Sequence, residues 1–204
     1  MSHNLDRIVY INLDKREDRK THMESQIDGY NLREHVERFS AVSYPDLGIY
    51  GCGMSHLGVL KMAKERGYKN VLILEDDFVF LVTPEVFEQE LEQFFAANVE
   101  YDVCMISYLL IKSTPTVHPF LLKVEEAQTA SGYIVNSNYY DTLISLYEDA
   151  MPKLLSTNSH WIYANDQVWK SNQKRDNWVC LKTRIGKQLD GYSDNSNTYR
   201  NYDC

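Results

Sequence analysis

The sequence predicts an α/β protein: a single domain over residues 1–204, built on a mixed, mainly parallel sheet flanked by helices. Three observations predict it. Short apolar runs alternate with amphipathic stretches through the first half of the chain, which is the pattern of βαβ units. One run, Val71-Leu72-Ile73-Leu74, is apolar at consecutive positions, as a strand covered on both faces must be. The second half mixes strand-like and helix-like stretches without that regularity, so some strands are expected to run against the rest. No repeat or linker-like stretch divides the chain, and 204 residues suffice for one full core.

In chain order, residues 7–12 read as the first strand and 13–16 as the loop beyond it. A polar helix over 17–27 follows, with Met23 and Ile27 one turn apart on its apolar side. Residues 36–42 form a second strand. Pro45, Gly48, Gly51 and Gly53 place a loop before a helix over 55–66, with Ser55 as N-cap, Leu57, Leu60 and Ala63 on its apolar face, and Gly67 as its stop. The acidic strand comes next. Thr83 then fits an N-cap, Pro84 a first helical residue and Glu85 the positive end of a helix reaching about residue 97. A buried strand over 102–108 precedes an irregular loop over 111–120, where Pro115 and Pro119 lie. Residues 121–124 and 131–135 are two further strands, and 136–150 contains a helix carrying Leu143, Leu146 and Tyr147. Residues 159–172 make an aromatic-rich helix or loop, and 177–181 a last strand. From Gly186 onward the Asn, Asp, Ser, Gly and Tyr content reads as loop.

Net charge is −8, and no block of Lys and Arg forms a basic stripe, so nucleic acid is not an expected partner. Any anionic ligand needs a local site: a metal, a helix start or a few placed arginines. Cys52, Cys104, Cys180 and Cys204 are scattered without a CxxC pair, which fits neither a zinc ribbon nor a disulfide framework. Cys52 and Cys104 have small or apolar neighbours and read as reduced core residues. The first seven residues lack the apolar stretch of a signal peptide, and the longest apolar runs are too short to span a bilayer. The expected setting is cytoplasmic, with no transmembrane segment; peripheral membrane association stays open.

The chemistry concentrates at Glu75-Asp76-Asp77, three carboxylates directly after the buried run and directly before Phe78-Val79-Phe80. Such a cluster is costly unless something positive neutralises it, and the carboxyl end of a strand is where open α/β sheets bind ligands. Strand alternation puts Glu75 and Asp77 on one side and Asp76 on the other. An acid-x-acid pair suits a hard divalent cation that keeps water and phosphate oxygens in its shell. A solvated acidic turn is the alternative; the apolar flanks favour the strand end. The first βα turn, Asn12-Leu13-Asp14-Lys15-Arg16-Glu17-Asp18-Arg19, lacks the glycines of a dinucleotide cradle. Its Asp14, Arg16 and Arg19 suit either a nucleotide's ribose and diphosphate or a salt-bridged helix start. In Gly51-Cys52-Gly53-Met54-Ser55-His56, His56 is placed to ligate, orient or donate, or else to serve the core. No G-x-S-x-G context supports a nucleophilic triad.

These motifs together, in this order and spacing, resemble glycosyltransferase family 25, which contains lipooligosaccharide and procollagen galactosyltransferases. The resemblance continues through Thr129-Ala130-Ser131-Gly132-Tyr133-Ile134-Val135, similar to the family's Thr-x-Gly-Tyr segment with one residue of difference. It goes on through Asn165-Asp166-Gln167-Val168 to Gln188 and Ser193-Asp194, and so spans nearly the whole chain. It implies a GT-A-like, Rossmann-like fold, a UDP-hexose donor (galactose or glucose), Mn²⁺ or Mg²⁺, inversion at the anomeric centre, and a glycan or protein-linked hydroxyl as acceptor, as in lipopolysaccharide biosynthesis. It implies metal contacts from Asp77 directly, from Glu75 directly or through water, and from Asp194. Asn12, Asp14, Arg16, Arg19, Ser40, Ala41, Ser55, His56, Asp76, Gly132 and Tyr133 would hold the nucleotide sugar. Asp166 would be the base that activates the acceptor. Trp161, Tyr163 and Trp169 beside it either stack on a sugar or pack the core. One departure stands out: GT-A enzymes often take a late His as a metal ligand, and none follows His160 here. Asp194, Gln188 or water would replace it. Two other functions compete. A catalytically degenerate domain would bind a nucleotide sugar or a partner without transfer. A metal-dependent phosphate-ester hydrolase would use the same acids but wants more His ligands than this chain clusters.

Overall fold

The structure is a computed structural model and describes residues 5–193 and 198–200. The opening run is β1 (Arg7–Asn12), α1 (Glu17–Gly29), β2 (Val36–Ser40), α2 (Gly48–Glu65) and β3 (Asn70–Glu75). Then come β4 (Phe78–Phe80), α3 (Pro84–Ala96), the long strands β5 (Val103–Pro115) and β6 (Leu121–Asn136), and α4 (Tyr140–Thr157). Short helices α5 (His160–Tyr163), α6 (Asn165–Val168) and α7 (Lys170–Arg175) lead into β7 (Trp178–Leu181). Three short strands follow: β8 (Gly186–Gln188), β9 (Gly191–Ser193) and β10 (Thr198–Arg200).

Six strands pair in the order β2-β1-β3-β6-β5-β7. β1 runs parallel to β2 and β3, β6 runs antiparallel to β3 and β5, and β7 is parallel to β5. Five of the six therefore point one way, and the mixed, mainly parallel sheet is as the sequence predicts. Side-chain alternation divides the core between the two faces. Ile8, Tyr10, Leu72 and Leu74 pack with Met23 and Ile27 of α1 and Phe87, Leu91 and Phe94 of α3. Val9, Ile11, Val71 and Ile73 pack with Leu57, Leu60 and Ala63 of α2 and Leu143 and Tyr147 of α4. Residues Val71 to Leu74 are buried, as a strand covered on both faces should be. Among the described residues, no helix is long and apolar enough to cross a membrane.

Thr83 caps α3 through its side chain, which accepts from the Val86 amide, and Pro84 opens that helix, as predicted. Four elements differ from the sequence reading. α2 begins at Gly48, so Gly51-Cys52-Gly53 lies inside the helix and Ser55 does not cap it. The glycines are there for close packing: a Cβ on Gly51 would lie 2.4 Å from the Val42 carbonyl oxygen, and one on Gly53 would lie 2.3 Å from Met151 Sδ. β5 runs through the predicted loop to Pro115, held by a ladder to β6 that ends at the Pro115–Leu122 pair. The two strands expected over 121–135 are one, because cross-strand pairing tolerates the register shifts between them. The tail expected as loop contains β8, which pairs antiparallel with β4, and a β9–β10 ribbon.

Candidate active site at the carboxyl ends of the parallel strands

β1, β2 and β3 end at Asn12, Ser40 and Glu75. The residues just past those ends, including Leu13, Lys15, Ala41 to Pro45 and Asp76-Asp77, line a cleft together with Arg19, Cys52, Ser55, His56 and Gln188. This is the position at which open α/β sheets bind ligands.

The acid triplet does not follow strand alternation, because β3 stops at Glu75 and Asp76-Asp77 form a turn. Asp76 and Asp77 face one partner: Arg19 Nη1 of α1 donates to Asp76 Oδ1 at 2.8 Å and to Asp77 Oδ2 at 3.1 Å. Asp76 Oδ2 also accepts from Asn12 Nδ2 at 2.8 Å. Asp77 Oδ2 accepts from Gln188 Nε2 at 3.0 Å, and the Asp77 carbonyl accepts from the Leu189 amide at 2.6 Å. Burial raises both carboxyls despite Arg19. Asp77, pushed further by the neighbouring Glu75, reaches about 7. One cation thus serves two buried acids, and Asp77 Oδ1 is buried without a hydrogen-bond partner.

Glu75 turns to α2. Its Oε1 accepts from His56 Nε2 at 3.0 Å and from the Cys52 thiol at 3.4 Å. Burial works against this carboxylate, but the His56 and Cys52 hydrogen bonds outweigh it and hold its pKa below the ordinary value. An ionised carboxylate only accepts, so His56 Nε2 carries the proton. In the neutral ring, Nδ1 then accepts from Tyr133 Oη at 2.8 Å. His56 and Tyr133 are fully buried, with the imidazole at the cleft wall and the phenol behind it. Ser55 Oγ donates to the Gly51 carbonyl at 2.7 Å and accepts from the Val42 amide at 2.8 Å, which ties the cleft loop to α2.

Of the residues singled out from sequence, Arg19, Ala41, Ser55, His56, Glu75, Asp76 and Asp77 line the cleft. The others serve it or stand apart. Asn12 is buried and orients Asp76, its Oδ1 accepting from Arg38 at 2.9 Å. Asp14 is exposed and engages Arg38 and Ser40, whose Oγ donates at 2.9 Å. Arg16 lies at the start of α1 and pairs with Asp18 at 2.7 Å. Gly132 and Tyr133 are buried and are not among the residues that line the cleft. A Cβ on Gly132 would come within 2.7 Å of the Phe78 ring, and one on Gly186 within 2.1 Å, so the two glycines clamp that ring beneath the acid turn. Asp166 sits on α6 outside the cleft lining; its Oδ2 accepts from the Thr129 amide at 3.3 Å, where φ is +78°. Burial raises its pKa. Trp169 is a core residue, edge-on to Tyr133 and Trp178, whereas Trp161 is 64% exposed. Asp194 lies outside the described residues. Sequence reasoning put Cys52 in the core; it is half-buried and lines the cleft. The missed signal is its position one helical turn before His56. Tyr44 and Lys15, also cleft residues, carried no sequence signal beyond lying in loops at strand ends.

No protein-family model matches the sequence, and no curated protein matches it. Solved structures do match the fold. A glycosyltransferase involved in the glycosylation of the major capsid of PBCV-1 superposes with a TM-score of 0.54 at 8% identity, covering 93% of this chain and 95% of that one. A protein described as mannose-1-phosphate geranyltransferase, from Thermus thermophilus, gives 0.54 at 11% identity, covering 89% and 75%. The glycosyltransferase GlyE of Streptococcus pneumoniae gives 0.50 at 11% identity, covering 88% of this chain and 46% of that one. The chain has a GT-A-like α/β fold, with its acid-lined cleft where the parallel strands end.

Proposed function

We propose that the chain is a nucleotide-sugar-dependent glycosyltransferase that moves a hexose from a UDP-sugar to a hydroxyl of a glycan or protein-linked acceptor, with inversion and with a divalent metal. The observation that carries this reading is the Glu75-Asp76-Asp77 turn in the strand-end cleft of a GT-A-like fold, with Asp77 Oδ1 buried and unpartnered. A buried carboxylate oxygen with nothing to accept is costly, and an oxygen donor set suits Mn²⁺ or Mg²⁺. Asp77 would be the direct ligand and Glu75 a second contact, directly or through water. When bound, such an ion would neutralise charge developing on the departing diphosphate. Arg19 adds a fixed positive charge beside it, and Asn12 holds Asp76 in place for a ribose or sugar hydroxyl. The loop over residues 41–45, tied to α2 through Ser55, forms the other wall. Asp166 is the proposed base on the strength of the family resemblance; it sits on α6 outside the cleft lining, and burial raises its pKa.

The test is UDP release with Mn²⁺ across a panel of UDP-hexoses, comparing wild type with Asp77→Asn and Asp166→Asn. Transfer that survives Asp77→Asn or excess chelator refutes the metal role; transfer that survives Asp166→Asn refutes the base. A second reading has one observation in its favour: Arg19 already bridges Asp76 and Asp77, as in a domain that binds a nucleotide sugar without metal or transfer. Donor binding by calorimetry that is insensitive to Mn²⁺, with no turnover, would select it.

A further inference from the structure

We propose that Cys52, His56 and Glu75 form a binding site for a thiophilic divalent ion of the Zn²⁺ class, which shares Glu75 with the hard-cation site proposed at Asp77. Cys52 and His56 are four residues apart on α2 and present Sγ and Nε2 on the same side of the helix, facing the last residue of β3. The three ligand atoms lie within 4.8 Å of one another, with Sγ to Oε1 at 3.4 Å and Nε2 to Oε1 at 3.0 Å. Tetrahedral bonds of about 2.0–2.3 Å to sulfur, nitrogen and oxygen set their ligand atoms roughly 3.3–3.7 Å apart, so the Sγ–Oε1 spacing already fits and Nε2 and Oε1 need only part by roughly a few tenths of an ångström. The ligand types select the ion: thiolate and imidazole favour Zn²⁺ over Mg²⁺ and Mn²⁺. The imidazole is also oriented from behind. Tyr133 Oη holds Nδ1 at 2.8 Å, as outer-shell partners hold metal-bound histidines, and a hydroxyl serves whichever nitrogen carries the proton. All three residues line the cleft, so an ion has a path in and a place for a water as fourth ligand. Binding would release the thiol proton to solvent and shift the imidazole proton from Nε2 to Nδ1, where it would be donated to Tyr133 Oη. The site requires no nucleotide, and Cys52 and His56 have no part in the metal contacts of the transferase reading; only Glu75 is common to both.

Co²⁺, a spectroscopic stand-in for Zn²⁺, tests this on the full, chelator-stripped and reduced protein. The expected result is one bound equivalent with a thiolate-to-cobalt charge-transfer band, abolished by Zn²⁺ but not by Mg²⁺. The band should vanish in Cys52→Ser, persist in Asp77→Asn, and form with roughly tenfold weaker affinity in Tyr133→Phe. A wild type without the band, or a Cys52→Ser protein that keeps it, overturns the proposal. Should Cys52→Ser not fold, alkylation mapped by mass spectrometry on the wild type decides: Zn²⁺ must protect Cys52, and unchanged labelling overturns the site.

Discussion

Replacing Arg19 by Gln removes the only cation that both Asp76 and Asp77 touch among the described contacts, and the cost should depend on pH. The Arg19 side chain is 19% exposed, and those of Asp76 and Asp77 are 9% and 5%. Solvent screening is therefore weak, and breaking a pair this buried costs about 3–5 kcal/mol. Protonation limits the loss. The Asp77 carboxyl sits at about 7 in the folded chain against an ordinary 3.8, so the folded state holds this proton more tightly than the unfolded one. Stability from this group is full below about pH 4 and falls as pH climbs through about 7. Without Arg19 its pKa rises further. Near pH 5.5 the protonated Asp77 no longer needs Arg19, and the loss should shrink to the hydrogen bond to Asp76, about 1.5–3 kcal/mol. Near pH 8 the loss should approach the lower end of the full range, about 3 kcal/mol, or roughly 6–12 °C in Tm for a chain of this length. Urea denaturation and thermal melts of Arg19→Gln and wild type in chelator at both pH values measure the difference. Mn²⁺ should restore part of the alkaline loss. Equal losses at the two pH values, or an alkaline loss below about 1 kcal/mol, would refute the view that Arg19 compensates the acid turn.

Gly186→Ala would put a methyl where the Phe78 ring lies, 2.1 Å away, and should cost about 1–3 kcal/mol by urea denaturation while weakening donor binding through Gln188. Asn12→Ala strips a buried donor from Asp76 and an acceptor from Arg38, and chemical denaturation should show a loss of about 1–3 kcal/mol. Trp169→Ala empties a fully buried site between Tyr133 and Trp178, with an expected loss of about 3–5 kcal/mol in the same assay; a neutral result would return this ring to a sugar-stacking role.

The parts of the fold that were legible in the sequence are those where local pattern and tertiary role agree. β1 runs from Arg7 to Asn12 as read, and the Thr83-Pro84 start of α3 follows from capping chemistry alone. The start of α2 was misread because Gly51 and Gly53 signal a break locally, while their small size answers to contacts with Val42 and Met151 that are distant in the chain. The acid triplet was located correctly, but the partition of its side chains was not: alternation holds only while the strand lasts, and β3 ends at Glu75. The cation that the triplet demands proved to be, in part, Arg19, which the sequence placed nearby without saying which way it would turn. Cys52 was misassigned for the same reason as the glycines, since its face of α2 exists only once the helix begins at Gly48.

The pairing of β8 with β4 makes the cleft depend on a part of the chain that the main sheet does not use. All six strands of the main sheet lie before residue 182, whereas Gln188 reaches back 111 positions to Asp77. The sheet can close while the acid turn still lacks the Gln188 donor and Phe78 lacks half of its glycine clamp. Closure of the main sheet thus does not need β8, whereas completion of the cleft does.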